Sequence, residues 1–376
     1  MSAIASFQIH TPTPIEFGVG VAAHVGERAA ALQMRHAFLV TDQGLVDSPT
    51  CSAARHALEQ RGVAVTVYPD VVLDPTVESI SAAVQAYRAA AADGLIALGG
   101  GSAMDTAKAL GVLAVGGGDD IAPYFFGGTD PIKGMPPLLC LPTTAGTGSE
   151  VTFVAIIAHE GHKKLLRDPS ISPTLALIDP ELTLSMPPRL TASTGMDALA
   201  HSLEAMTSTM ANPICDTLAL DAITRIGRWL PRAVEQGDDI EARIELSLAA
   251  LNAGMAFLGG RVHLGHAVGH SMGAVFHIPH GFACMMCMPA LLTYLQPVCE
   301  EALARAAAAL GNPDVADAVS KLMAQCHAPL LGDALHVHER DIPRLVEIVE
   351  GEQRLIGLSR RQPAAPDWAE IFAESI

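Results

Sequence analysis

The chain has 376 residues, half of them hydrophobic, and a formal net charge of −17. Such a length exceeds one comfortable hydrophobic core and predicts two domains, while the acidic balance and lack of any basic run exclude a protein that grips nucleic-acid backbones with clustered Lys and Arg. No apolar run reaches the roughly 20 residues that cross a bilayer, and the N-terminus lacks the basic start and apolar stretch of a signal peptide, so a soluble, cytoplasmic protein with no membrane partner is expected.

In chain order, "HAFLVT" (36–41), "AVTVYPDV" (64–71), "GLIALGG" (94–100) and "PPLLCLPTT" (136–144) read as strands. Ala-rich segments of helical length lie between them at 48–62, 77–92 and 102–114, and this alternation predicts a Rossmann-like parallel sheet. Further strand-like pieces follow in "FVAIIAHEGHKKLLRDP" and "TLALIDP". After "DPELTLSMPPRL" the character changes. Segments 193–209, 213–236, 240–259, 261–275, 280–295, 299–310, 314–327 and 339–356 read as helices. The expected fold is thus an α/β domain over 1–187 and an all-α domain over 188–376.

Glycine clusters offer places for a phosphate. "GVGVAA" (18–23) has the loose form G-x-G-x-x-A, with Asp42 about where a dinucleotide fingerprint places its acidic residue, but "TPTPIEF" before it is a proline-broken strand. "LIALGGGSAMDTAKAL" (95–110) runs from strand to helix, so Gly99, Gly100 and Gly101 allow close backbone approach. Ser102 and the first helical amides can then donate to a pyrophosphate. "PTTAGTGSEVT" (142–152) is a second small-residue loop at a strand end, as a nucleotide lying across a parallel sheet requires.

The helical half opens with Asp197 and His201 at i, i+4 spacing, and "HLGHAVGHSMGAVFHIPHG" (263–281) supplies five further histidines. His266 and His270 form a second i, i+4 pair, and His280 follows Pro279 at the start of the next helix. One Asp with two or three His suits Fe²⁺ or Zn²⁺. A metal beside a nucleotide loop points to hydride transfer, because the ion can polarise an alcohol oxygen while nicotinamide accepts the hydride. His277 has no assigned role. The seven cysteines are scattered and odd in number, which fits reduced thiols, and the lone pair Cys284 and Cys287 reads as a buried helix face.

"GGGSAMDTAK", "PTTAGTGSEVT", "LIDPELTLSMPP", "TGMDALAHSLEA" and "HAVGHSMGAVFHIPHG", in this order, make the chain resemble the iron-containing (group III) alcohol dehydrogenase family from about residue 10 to 330. The resemblance implies an N-terminal nucleotide-binding domain, a C-terminal helical domain and a metal site in the cleft between them. It implies Asp197, His201, His266 and His280 as ligands of Fe²⁺, with Zn²⁺ an alternative, and His270 near nicotinamide and substrate. It also places Gly99, Gly100, Gly101 and Ser102 at the pyrophosphate, Thr143, Thr144, Thr147 and Ser149 along the cofactor, Lys163 near it, and Asp42 at the adenosine ribose. A carboxylate there would repel a 2′-phosphate, so NAD is expected over NADP.

The segment "FLGGRVHLGH" departs from the family pattern, with Arg261 and His263 where small or amide residues are usual. Phe257, Arg261 and His263 are candidate substrate contacts, and an Arg facing the cleft would suit an anionic substrate. The expected activity is a metal-dependent, NAD-linked dehydrogenase or reductase of a small primary alcohol or aldehyde, in a homo-oligomer, by expectation a dimer. The alternative is an NAD-using sugar-phosphate lyase of the dehydroquinate synthase type, which would call for more basic residues than the helical half supplies.

Overall fold

The computed structural model describes residues 6–335 and 338–376. The chain divides into two compact units, one of Thr11–Thr144 and Ser149–Leu184, the other of the residues up to His10, Ala145–Gly148 and Ser185–Ile376.

The first unit is built on a parallel sheet of β1 (Ile15–Phe17), β2 (His36–Val40), β3 (Ala64–Tyr68), β4 (Gly94–Gly99), β5 (Leu138–Pro142) and β8 (Leu175–Ile178), in the order β1-β8-β5-β4-β2-β3. The two strands β4 and β5 are buried along their whole length, which is why both read as continuous apolar runs rather than alternating ones. Helices α1 (Val25–Ala31), α2 (Pro49–Gln60), α3 (Val77–Ala90) and α4 (Gly101–Gly116) connect the strands. β1 is short and lies at the sheet edge, as Pro12 and Pro14 before it require.

Strands β6 (Val154–His159) and β7 (His162–Arg167) form a separate antiparallel hairpin. Its two-residue turn places Glu160 at φ 51° and Gly161 at φ 75°, the positive values that a hairpin of matching twist needs.

The second unit is helical: α5 (Pro188–Thr207), α6 (Pro213–Glu235), α7 (Ile240–Gly260), α8 (Leu264–Phe276), α9 (His280–Met285), α10 (Met288–Ala309), α11 (Val315–Gln325), α12 (Leu331–Leu335), α13 (Ile342–Glu350), α14 (Gln353–Ile356) and α15 (Ala365–Ala373). Pro188 opens α5, where the missing N–H costs nothing, and sixteen of that helix's twenty residues are buried, making it the unit's central rod.

Two sequence expectations change here. The helix expected over 280–295 breaks at Cys287, because Pro289 fits only the first turn of a new helix. The helices expected over 280–295 and 299–310 share α10, which kinks at Cys299 (φ −128°) just after Pro297. The tail "RRQPAAPD" leads into α15, whose Trp368, Ile371 and Phe372 are buried.

Candidate metal centre and cofactor loops

Helix α5 carries Asp197, His201 and Glu204 along one face, at i, i+4 and i+7. From α8 come His266 and His270, and His280 is the first residue of α9. The side chains converge within the helical unit. His201 Nε2 and His266 Nε2 each lie 3.9 Å from Asp197 Oδ1, and His280 Nε2 lies 3.7 Å from it. The His201 ring stacks between Phe257, at 4.3 Å between centroids, and His266, at 4.7 Å. His270 stands beside the group, 6.0 Å from the His266 ring and 5.6 Å from that of His280.

The donor chemistry fits a cation. Asp197 and His266 are 3% and 2% exposed, yet among the described residues Asp197 Oδ1 has no hydrogen-bond partner and His266 Nε2 has none but the weak thiol of Cys284, a state that costs about 1–3 kcal/mol per buried polar group unless something satisfies it. Burial also pushes His201 down to about 4, against the pull of Asp197, so its imidazole is neutral and its lone pair is available. Close approach of α9 to α5 depends on Gly281, where a Cβ would stand 1.9 Å from Ser193 O.

One site residue was missed in the sequence. Glu204 Oε1 accepts the amide hydrogens of His263, Gly265 and His266 at 2.9, 2.8 and 3.2 Å, capping α8 from another helix. Its Oε2 accepts from His266 Nδ1, which fixes the ring with Nε2 turned towards Asp197. Burial raises the cost of that charge, but His266 and the hydrogen bonds hold Glu204 at about 2. The signal was present in "DALAHSLEA", since Glu204 continues the Asp197 and His201 stripe.

In the sheet unit, the ends of β2, β4 and β5 bring most expected cofactor residues together. Asp42 follows β2, its Oδ1 accepting from Gly44 N at 2.8 Å, and a Cβ on Gly99 would reach its Oδ2 at 3.9 Å. Thr143 N donates to Gly99 O at 3.0 Å, and Thr144 packs within 3.2 Å of where a Gly100 Cβ would stand. Gly101 and Ser102 form the first turn of α4. The competing early cluster is tied down by its own chain, because Ala22 N donates to Asp179 Oδ2 at 3.1 Å.

Ser149 turns inward. Its hydroxyl donates to Asp105 Oδ1 at 2.8 Å and accepts from the buried Lys108 Nζ at 2.8 Å; Lys108 also donates to Ser149 O and Val154 O. That buried pair, separated by one turn in "DTAK", anchors the loop. Lys163, on β7, pairs with Asp74 at 2.8 Å. Thr147 belongs to the helical unit with its neighbours 145–148.

The expected substrate contacts separate. Phe257 lies against His201, and Arg261 ends α7 at φ 72° with Nη1 donating to Leu258 O. His263 is 1% exposed and its Nε2 lies 2.9 Å from Thr207 Oγ1, so its ring is walled into the helical core, where it leaves no face for a substrate. His277 caps α8 in the left-handed region, at φ 56°. Among the described residues, no helix is long and apolar enough to cross a membrane.

Comparison with known proteins agrees with this architecture. Residues 12–180 match the family described as iron-containing alcohol dehydrogenase, and residues 191–376 match the C-terminal domain of the Fe-containing alcohol dehydrogenase family. The probable alcohol dehydrogenase EutG of Salmonella typhimurium is 38% identical over 315 residues, covering 82% of this chain and 79% of its own. A solved 1,3-propanediol oxidoreductase superposes with a TM-score of 0.92 at 30% identity, over 99% of this chain and 100% of that one. Sulfoacetaldehyde reductase from Bifidobacterium kashiwanohense, solved in complex with NAD⁺, superposes with a TM-score of 0.89 at 30% identity, over 98% of both chains. With the sheet unit and the helical unit each matched along nearly its full length, the chain belongs to the iron-containing alcohol dehydrogenase family and is an oxidoreductase of the alcohol dehydrogenase type.

Proposed function

We propose that this enzyme interconverts a small primary alcohol and its aldehyde with NAD⁺ and NADH, using a divalent metal held by Asp197, His201, His266 and His280. The observation that carries the reading is the pair of buried donors Asp197 Oδ1 and His266 Nε2, unpartnered but for the weak Cys284 thiol at His266, with His201 and His280 around them. Fe²⁺ is the family's named metal, and the nitrogen and carboxylate donors also suit Zn²⁺. A bound ion supplies Lewis acidity that lowers the pKa of an alcohol and polarises a carbonyl.

The chain's own residues do the rest. Glu204 holds His266 in the tautomer that presents Nε2 to the centre. His270, a ring's width from His266 and His280, positions the substrate or relays the hydroxyl proton. Gly99, Gly100, Gly101 and Ser102 receive the pyrophosphate at the start of α4, with Thr143 and Thr144 beside them. Asp42, against Gly99, hydrogen-bonds the adenosine ribose and repels a 2′-phosphate, which selects NAD. Support for a substrate carrying an anionic group comes from a relative that reduces sulfoacetaldehyde.

Anaerobic metal analysis, together with the absorbance of reduced nicotinamide during turnover on a panel of alcohols and aldehydes with NAD⁺ or NADP⁺, tests the reading. One metal per chain and NAD-dependent turnover are expected, and the His266→Ala/His280→Ala double variant should lose both. Retained metal and full turnover in that variant would sink the ligand assignment.

A further inference from the structure

Cys284 follows His280 by four residues on α9, so both side chains leave one helix face. Its Sγ lies 3.7 Å from His280 Nε2, and donor atoms of Asp197, His266, His280 and Cys284 all lie within 4.8 Å of one another. For metal bonds of about 2.0–2.3 Å, neighbouring donors of a four- or five-coordinate ion stand roughly 2.8–4.0 Å apart. The separations of His280 Nε2 from Asp197 Oδ1, 3.7 Å, and from Cys284 Sγ, also 3.7 Å, fall in that range, with Sγ 3.8 Å from His280 Nδ1 as well.

The thiol is fully buried, in a position that exists only because residue 269 is glycine, where a Cβ would stand 2.3 Å from Sγ. Independently of the sulfur, Asp197 Oδ1 is buried, lacks a hydrogen-bond partner among the described residues and belongs to the same cluster. The other half of the CxxC pair, Cys287, falls between α9 and α10 and is not a member of it.

We propose that Cys284 is a ligand of the metal, its thiolate adding one soft sulfur to the nitrogen and carboxylate donors and tilting the centre towards thiophilic ions such as Zn²⁺ and Co²⁺. This rests on the metal-centre reading above and adds a fifth donor to it, His201 lying outside the group whose donor atoms all fall within 4.8 Å of one another. Forming the metal–sulfur bond releases the thiol proton to solvent and leaves both partners in their oxidation states. Sulfur ligation raises the preference for Zn²⁺ over harder ions such as Mn²⁺.

The test uses the full-length protein stripped of metal and titrated with Co²⁺. Visible d–d bands report that the centre is occupied, and a near-ultraviolet sulfur-to-cobalt charge-transfer band reports the thiolate. Both are expected in the unaltered protein. In Cys284→Ser the visible bands should persist while the charge-transfer band disappears, and Zn²⁺ affinity in chelator competition should fall by at least about tenfold with Mn²⁺ affinity little changed. X-ray absorption of the unaltered Zn²⁺ protein, which needs no variant, should contain a sulfur shell at about 2.3 Å. A centre with only nitrogen and oxygen scatterers, or a charge-transfer band that survives in Cys284→Ser, overturns the thiolate and leaves the metal centre standing. Absence of visible bands from the unaltered protein overturns both readings.

Discussion

A carboxylate only 2% exposed needs compensation for its lone pairs, and Glu204 finds it in three backbone amides and the His266 ring. The same atoms that make the charge tolerable cap α8 and orient the imidazole of a proposed metal ligand, so packing and the proposed chemistry are coupled at one residue. Glu204→Gln keeps an oxygen for the amides but turns an N–H donor towards His266 Nδ1, which favours the tautomer that protonates Nε2. Metal affinity should drop by about 10–100-fold, measured by chelator competition on folded protein. Unchanged affinity would mean that Glu204 only caps the helix. Its position on the Asp197 and His201 face was legible in "DALAHSLEA", but its partner is not, because His266 is 62 residues away.

Helices α5, α8 and α9 place these residues by close approach, which glycine makes feasible. At Gly281 a Cβ would stand 1.9 Å from Ser193 O and 3.0 Å from Asp197 Cβ, and neither is the far end of a flexible side chain. Gly281→Ala must therefore push α9 away from α5, costing on the order of 1–3 kcal/mol, and it moves the adjacent His280. A lower unfolding temperature accompanied by weakened metal binding is expected. A stability loss with metal affinity intact would separate α9 packing from the centre. The break between α9 and α10 also matters, because it ends one short helix just after His280 and Cys284, and a single rod over 280–295 would have hidden this.

For the molecule as a whole, every proposed metal ligand belongs to the helical unit, while Asp42, Gly99 to Ser102, Thr143, Thr144, Ser149 and Lys163 belong to the sheet unit. A ligand that binds only the folded state stabilises it by about 4 kcal/mol at a thousand times its dissociation constant. Chelation should consequently speed amide exchange in α5, α8 and α9 and leave β2, β4 and β5 protected. Equal loss of protection in both units would refute a metal stabilisation confined to the helical unit.

By itself the sequence determined the alternation that makes a parallel sheet, the change to helices after Pro188, and the i, i+4 pairs that mark the faces proposed to bind a metal. Each of these is a local periodicity or a strand-to-helix junction written within a few residues. The tertiary structure alone decided which faces meet: Glu204 with His266, Cys284 with the donors of three helices, Lys108 with the Ser149 loop, and His263 with Thr207 rather than with a substrate. These pairings join residues distant in the chain, and they depend on which side chains are small enough to let backbones approach, a property of the packed core that no single segment contains.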